Sequence, residues 1–196
     1  MGQYNETSGG ILILGIDPSL KSTGWAVMSD EGTLIEFGHI KGLKGGSTKE
    51  RTIHMCHMVT KLALSLPYCS VILEIPQDYG AGSKTSANNI MPLWAVVGAV
   101  VGVSQNRDVT LVTPREWKGT LPKAKFNLVV LNKLHKEAQE SILKMFEHST
   151  ASMKKRSMRK NVDDPIGDVL DAVGLCHKSI VLARSKKAKE ALFTKP

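Results

Sequence analysis

The chain has 196 residues, 42% of them hydrophobic, enough for one domain with a real core. Lys and Arg number 26 against 18 Asp and Glu, a net charge of +8 that suits a nucleic-acid partner. Three cysteines, odd in number and not in CxxC spacing, indicate neither a disulfide framework nor a zinc site and fit a reducing, cytoplasmic location. The first ten residues show no secretory pattern, and the most apolar stretch, 90–103, is too short to span a bilayer, so a soluble protein without a membrane partner is expected.

Residues 1–10 read as a disordered leader. An unbroken apolar run follows, the pattern of a strand buried on both faces, and it ends in Asp17. Pro18 stops that strand, residues 19–24 supply turn chemistry, and Trp25 leads a second strand. A carboxylate at the tip of a buried strand is costly unless a positive group sits beside it, although Asp17 could equally cap the turn. Residues 33–40 alternate as a third strand, 42–47 form a flexible loop, and 48–66 carry apolar positions at helical spacing. Residues 70–76 make a β-branched strand that bears Glu74 and ends at Pro76.

After a loop at 80–86, residues 87–104 read as a long apolar helix. Its Ala95, Gly98, Ala99 and Gly102 form a small-residue face, suited to close internal packing or to a dimer contact. Residues 108–112 are a further strand, ended by Thr113-Pro114. Three antiparallel strands followed by alternating helices and strands imply an α/β fold: a mixed five-stranded sheet, antiparallel then parallel, flanked by helices. The expected organisation is a single domain over 11–184 with a basic tail at 185–196.

Beyond residue 115 the chain turns strongly basic, with 123–146 read as one helix. Residues 149–161 contain Lys154, Lys155, Arg156, Arg159 and Lys160 with hardly a core-forming side chain, a mobile basic loop or simply a solvated charge run. Asp164-Pro165 reads as a helix cap and first turn, and Asp168 and Asp171, three apart, share one face of the helix that follows. That helix is expected to fray from Arg184. Trp25, Trp94 and Trp117 are expected in the core, and the six histidines form no ligand pattern.

Four acids stand out: Asp17 and Glu74 on buried strands, Asp168 and Asp171 on the last helix. If the three elements converge, like charges raise one another's pKa unless divalent cations lie among them. An all-oxygen donor set selects Mg²⁺ or Mn²⁺. Two such ions per site, about 3.5–4 Å apart, can activate a water and stabilise the leaving oxygen of a phosphodiester. Surrounding basic residues would hold the phosphate backbone.

Gly15-Ile16-Asp17-Pro18-Ser19 leading to Thr23-Gly24-Trp25, Glu74 closing the fourth strand, and Asp168-Val169-Leu170-Asp171-Ala172 together resemble the RuvC family of Holliday-junction resolvases, within the ribonuclease H-like superfamily. The resemblance runs in order from about residue 11 to residue 183. It implies that Asp17, Glu74, Asp168 and Asp171 are metal-binding catalytic carboxylates, that Lys118 is the family's catalytic lysine, and that Lys123 or Lys125 is a second basic residue. It also implies Mg²⁺ dependence and a homodimer that nicks four-way DNA symmetrically. Candidate DNA contacts are Lys21, Tyr79, Lys84, Arg115, Lys118, Lys123, Lys125 and the basic run at 154–160. Ser19 stands where the family usually has glycine, and the segment from 118 to 168 is longer than in compact bacterial members, which suits a phage-type enzyme or broader activity on flaps and branched DNA. The rivals are a catalytically silent junction binder and a ribonuclease H acting on RNA–DNA hybrids. A nucleotide-binding protein of the actin type would need a second domain with its own phosphate loop.

Overall fold

The computed structural model describes residues 10–77, 87–147 and 165–193, with the backbone alone at 87–89 and 191–193. The leader, the basic run at 149–161, the Asp164 cap, Tyr79 and Lys84 lie outside the described residues. The elements in chain order are β1 (Leu12–Asp17), β2 (Ser22–Ser29), β3 (Leu34–Lys41), α1 (Thr48–Ser65), β4 (Ser70–Glu74), α2 (Ala87–Val103), β5 (Asp108–Val112), α3 (Pro114–Lys118), α4 (Lys123–Lys133), α5 (Lys136–Met145) and α6 (Pro165–Phe193). They build the expected mixed sheet, in the order β3-β2-β1-β4-β5. β1 to β3 pair antiparallel, and β4 and β5 continue parallel to β1.

β1 is central, which explains its unbroken apolar sequence: alternate side chains feed two cores. Leu14 and Ile16 join Val71, Leu73 and residues of α1 and α2 on one face. Ile13 joins Ala26, Met28, Ile72 and the inner stripe of α6 on the other. Leu14, Ile16, Ile72 and Leu73 are fully buried, each contributing about 1.5–3 kcal/mol of hydrophobic stabilisation. On the α6 face the sheet is shallow, because Gly15 carries no side chain. A Cβ there would overlap the Ala172 carbonyl and come within 2.7 Å of Cys176 Sγ, so helix α6 lies directly on the strand.

Several sequence expectations are corrected. The span 123–146 is two helices, because Leu134 (ψ 154°) and His135 (ψ 155°) are extended. The break turns Leu134 into the core, lets α5 bury Ile142 and Leu143, and leaves the Leu134 carbonyl to accept a 2.8 Å bond from Gln139 Nε2. Helix α3 went unforeseen, although Thr113 and Glu116 form a capping box with Pro114 in the first turn. Helix α6 continues through the basic stretch beyond Arg184 to Phe193. Trp94 is not a core residue: it is 42% exposed on α2. No helix among the described residues is long and apolar enough to cross a membrane.

Candidate active site

The topology delivers the acids to one edge. The parallel register of β1 and β4, Ile16 opposite Leu73, brings Asp17 and Glu74 to the same carboxyl edge, both on the α6 face. Asp17 pairs across the hairpin with Gly24. A Cβ on Gly24 would overlap the Asp168 carbonyl and lie 2.7 Å from Val169 N, so the first turn of α6 rests on that glycine. Asp168 and Asp171 thereby project beside the strand tips. Ser19, the residue that departs from the family pattern, holds the intervening turn: its Oγ accepts from Lys21 N at 3.2 Å, and its carbonyl accepts from Thr23 Oγ1 at 2.8 Å.

Two lysines enter the cluster. Lys123 Nζ lies 2.8 Å from Asp168 Oδ1, 2.9 Å from Asp171 Oδ2 and 3.9 Å from Asp17 Oδ2. Of the two basic residues left open by the sequence, Lys123 is therefore the one that reaches the acids; Lys125 is exposed on α4. Lys118 Nζ lies 3.3 Å from Glu74 Oε2, which also accepts a 2.7 Å bond from Trp117 Nε1. Trp117 is a core residue, edge-on to Phe126 with centroids 5.0 Å apart, but its indole N–H is aimed at Glu74. That second role was invisible in the sequence.

The electrostatics follow from burial. Asp17 is pushed well above the usual carboxylate range, first by desolvation and then by Glu74 and Asp171, with Lys123 offsetting only part. Asp171 is likewise raised by burial against the pull of Lys123 and Lys118. Burial works against both ammonium groups, yet the surrounding carboxylates outweigh it and hold Lys118 and Lys123 above the usual lysine value. Asp171 Oδ1 is buried with no hydrogen-bond partner. An all-carboxylate set, with one oxygen orphaned and two acids whose ionised form is disfavoured first by burial, fits a hard divalent cation. Among the described residues no three acids are already drawn into a metal cage. A lysine ammonium stands between them instead.

Of the other candidate contacts, Lys21 lies in the turn after Asp17, and Arg115 is exposed on α3.

This mixed sheet with its crossing helix is a ribonuclease H-like fold. The chain is similar to Thermus thermophilus RuvC solved with a Holliday junction substrate, at 16% identity over 89% of this chain and 96% of that one, with a TM-score of 0.59. It is also similar to the fowlpox virus Holliday junction resolvase, at 14% identity over 88% of this chain and 99% of that one, with a TM-score of 0.54. No family model and no curated protein matches the chain.

Proposed function

We propose that this chain is a structure-selective endodeoxyribonuclease that resolves four-way DNA junctions by paired symmetric nicks. The observation that carries the reading is the meeting of Asp17, Glu74, Asp168 and Asp171 with two lysines at one sheet edge. The fold gives it context, being shared with proteins solved as Holliday junction resolvases.

The four carboxylates would hold two Mg²⁺ ions, or Mn²⁺ in their stead. Bound there, the ions would supply Lewis-acid stabilisation and an activated water. The chain's own residues do the rest. Asp17 and Glu74 are fixed by strand backbone, and Trp117 orients Glu74 through its indole N–H. Lys118, 3.3 Å from Glu74, would neutralise a phosphate oxygen. Lys21, Arg115 and Lys125 would contact the backbone of the bound strand, and Tyr79, Lys84 and the basic run at 154–160 would extend that contact. The catalytic unit is taken as the single domain over 11–184.

A homodimer would place two such sites on one junction. Supporting this, α2 exposes Met91 (70%), Trp94 (42%) and Val101 (37%) along the stripe of Gly98 and Gly102, and a Cβ on either glycine would meet nothing within 4 Å. Among the described residues Gly98 and Gly102 therefore face open space, whereas Ala99 on the same helix packs on the core. Combining Trp94→Glu with Val101→Glu should convert the dimer to monomer in sedimentation velocity and replace paired incisions by single nicks. An unchanged sedimentation coefficient would move the dimer contact elsewhere.

The deciding assay compares an immobile four-way junction with linear duplex, in Mg²⁺ and in EDTA. Symmetric, Mg²⁺-dependent nicks confined to the junction support the proposal. Cleavage of flaps with equal efficiency would broaden the substrate, and binding without cleavage would make the protein a junction binder.

A further inference from the structure

Lys123 is the first residue of α4, where the helix dipole disfavours a cation. Pro122 precedes it and supplies no side-chain cap, and the first turn holds no acid. Nothing within α4 rewards an ammonium at this position; the carboxylates of three other positions do. The side chain enters from the rim, 42% exposed, whereas Lys118 is 18% exposed and lies 4.9 Å from the Trp117 ring centre. Lys118 is therefore the less exposed of the two, and part of the Lys123 side chain reaches solvent.

The oxygens Lys123 engages, Asp168 Oδ1 and Asp171 Oδ2, belong to the carboxylates that a divalent ion would need. A divalent ion on the same oxygens repels the ammonium. Two divalent ions would balance four carboxylates by themselves, leaving Lys123 no net negative charge to hold it. We infer that Lys123 is a built-in counter-cation, which keeps the acids together in the metal-free protein and is displaced outward when divalent metal binds. The inference rests on the metal-dependent reading above and adds an exchange step to it. The displaced ammonium, still at the rim, is then available to a DNA phosphate, so metal loading also adds positive charge to the DNA-binding surface.

The first test uses the full-length wild-type chain. Lysine acetylation by a water-soluble acylating reagent is followed by mass spectrometry in EDTA and in saturating Mg²⁺, with Lys136, whose side chain is 86% exposed, as the internal reference. Lys123 should react several-fold faster with Mg²⁺ present, while Lys136 is unchanged. The second test titrates Mn²⁺ into wild type and Lys123→Gln by calorimetry. Removing the competing charge should tighten Mn²⁺ binding about tenfold and lower the melting temperature measured in EDTA. Equal or slower Lys123 acetylation in Mg²⁺, or Mn²⁺ affinity unchanged or weakened in Lys123→Gln, overturns the exchange alone. If neither protein takes up Mn²⁺, the metal-dependent reading falls and the exchange with it. Should Lys123→Gln fail to fold, the wild-type acetylation rates decide.

Discussion

Asp17→Asn is expected to abolish junction cleavage while making the metal-free protein more stable at neutral and alkaline pH. The two effects have one origin. Asp17 is buried at the tip of β1 beside Glu74 and Asp171, and Lys123, 3.9 Å away, offsets only part of their repulsion. Its folded-state pKa is therefore raised. Over the range between the ordinary carboxylate value and that raised one, the folded protein holds a proton that the unfolded chain has released. Stability of the metal-free protein accordingly falls as pH rises through this window and stays reduced above it. Asparagine retains the shape and carries no charge, so the variant should show a flatter dependence of melting temperature on pH in EDTA. Cleavage should fall by more than the roughly 10–100-fold that follows loss of an outer-shell partner, because Asp17 would be a direct ligand. A variant that keeps activity, or one that melts lower than wild type in EDTA at pH 8, would remove Asp17 from the strained cluster.

The legible parts of this site share a cause. Asp17 and Glu74 were readable as candidates because a carboxylate ending a largely apolar strand conflicts with its surroundings. Asp168 and Asp171 were readable as a pair because helical spacing alone puts them on one face. What sequence could not supply was contact between elements. Lys123 and Lys125 open the same helix, and only the packing of α4 against α6, where Asn127 Nδ2 donates to the Gly167 carbonyl at 2.8 Å, decides which lysine meets the acids. The apolar spacing of 123–146 runs through Leu134 without interruption, so nothing local announced the break. Helix α3 is the contrary case. Its capping box stood in the sequence as Thr113, Pro114 and Glu116, and the strand-ending proline was read while the helix start was not. The exposed α2 stripe lies between: the small residues were visible, but whether they faced inward depended on the placement of α1.

Gly24→Ala tests the least legible part of the site, and a large loss of activity is expected from one methyl group. The added Cβ would meet the Asp168 carbonyl and Val169 N, which are backbone atoms of the first turn of α6 and cannot rotate aside. The helix must lift or shift at the turn that carries Asp168. Overpacking of this kind costs about 1–3 kcal/mol, a fall in melting temperature of roughly 2–4 °C per kcal/mol for a chain of this size. The catalytic effect should exceed that, since a displacement near 1 Å of a reacting group can cost about 10²-fold. Gly38→Ala on β3 provides the control. Its Cβ would meet the ring of Trp25, on β2 rather than on α6. It should lower the melting temperature while sparing more activity and more Mn²⁺ affinity. If both alanine variants lost activity only in proportion to stability, Gly24 would be a packing residue and no more. A selective loss of Mn²⁺ affinity in Gly24→Ala would instead tie the glycine at the β1–β2 hairpin to the position of the acid on α6, linking the smallest residue of the site to its chemistry.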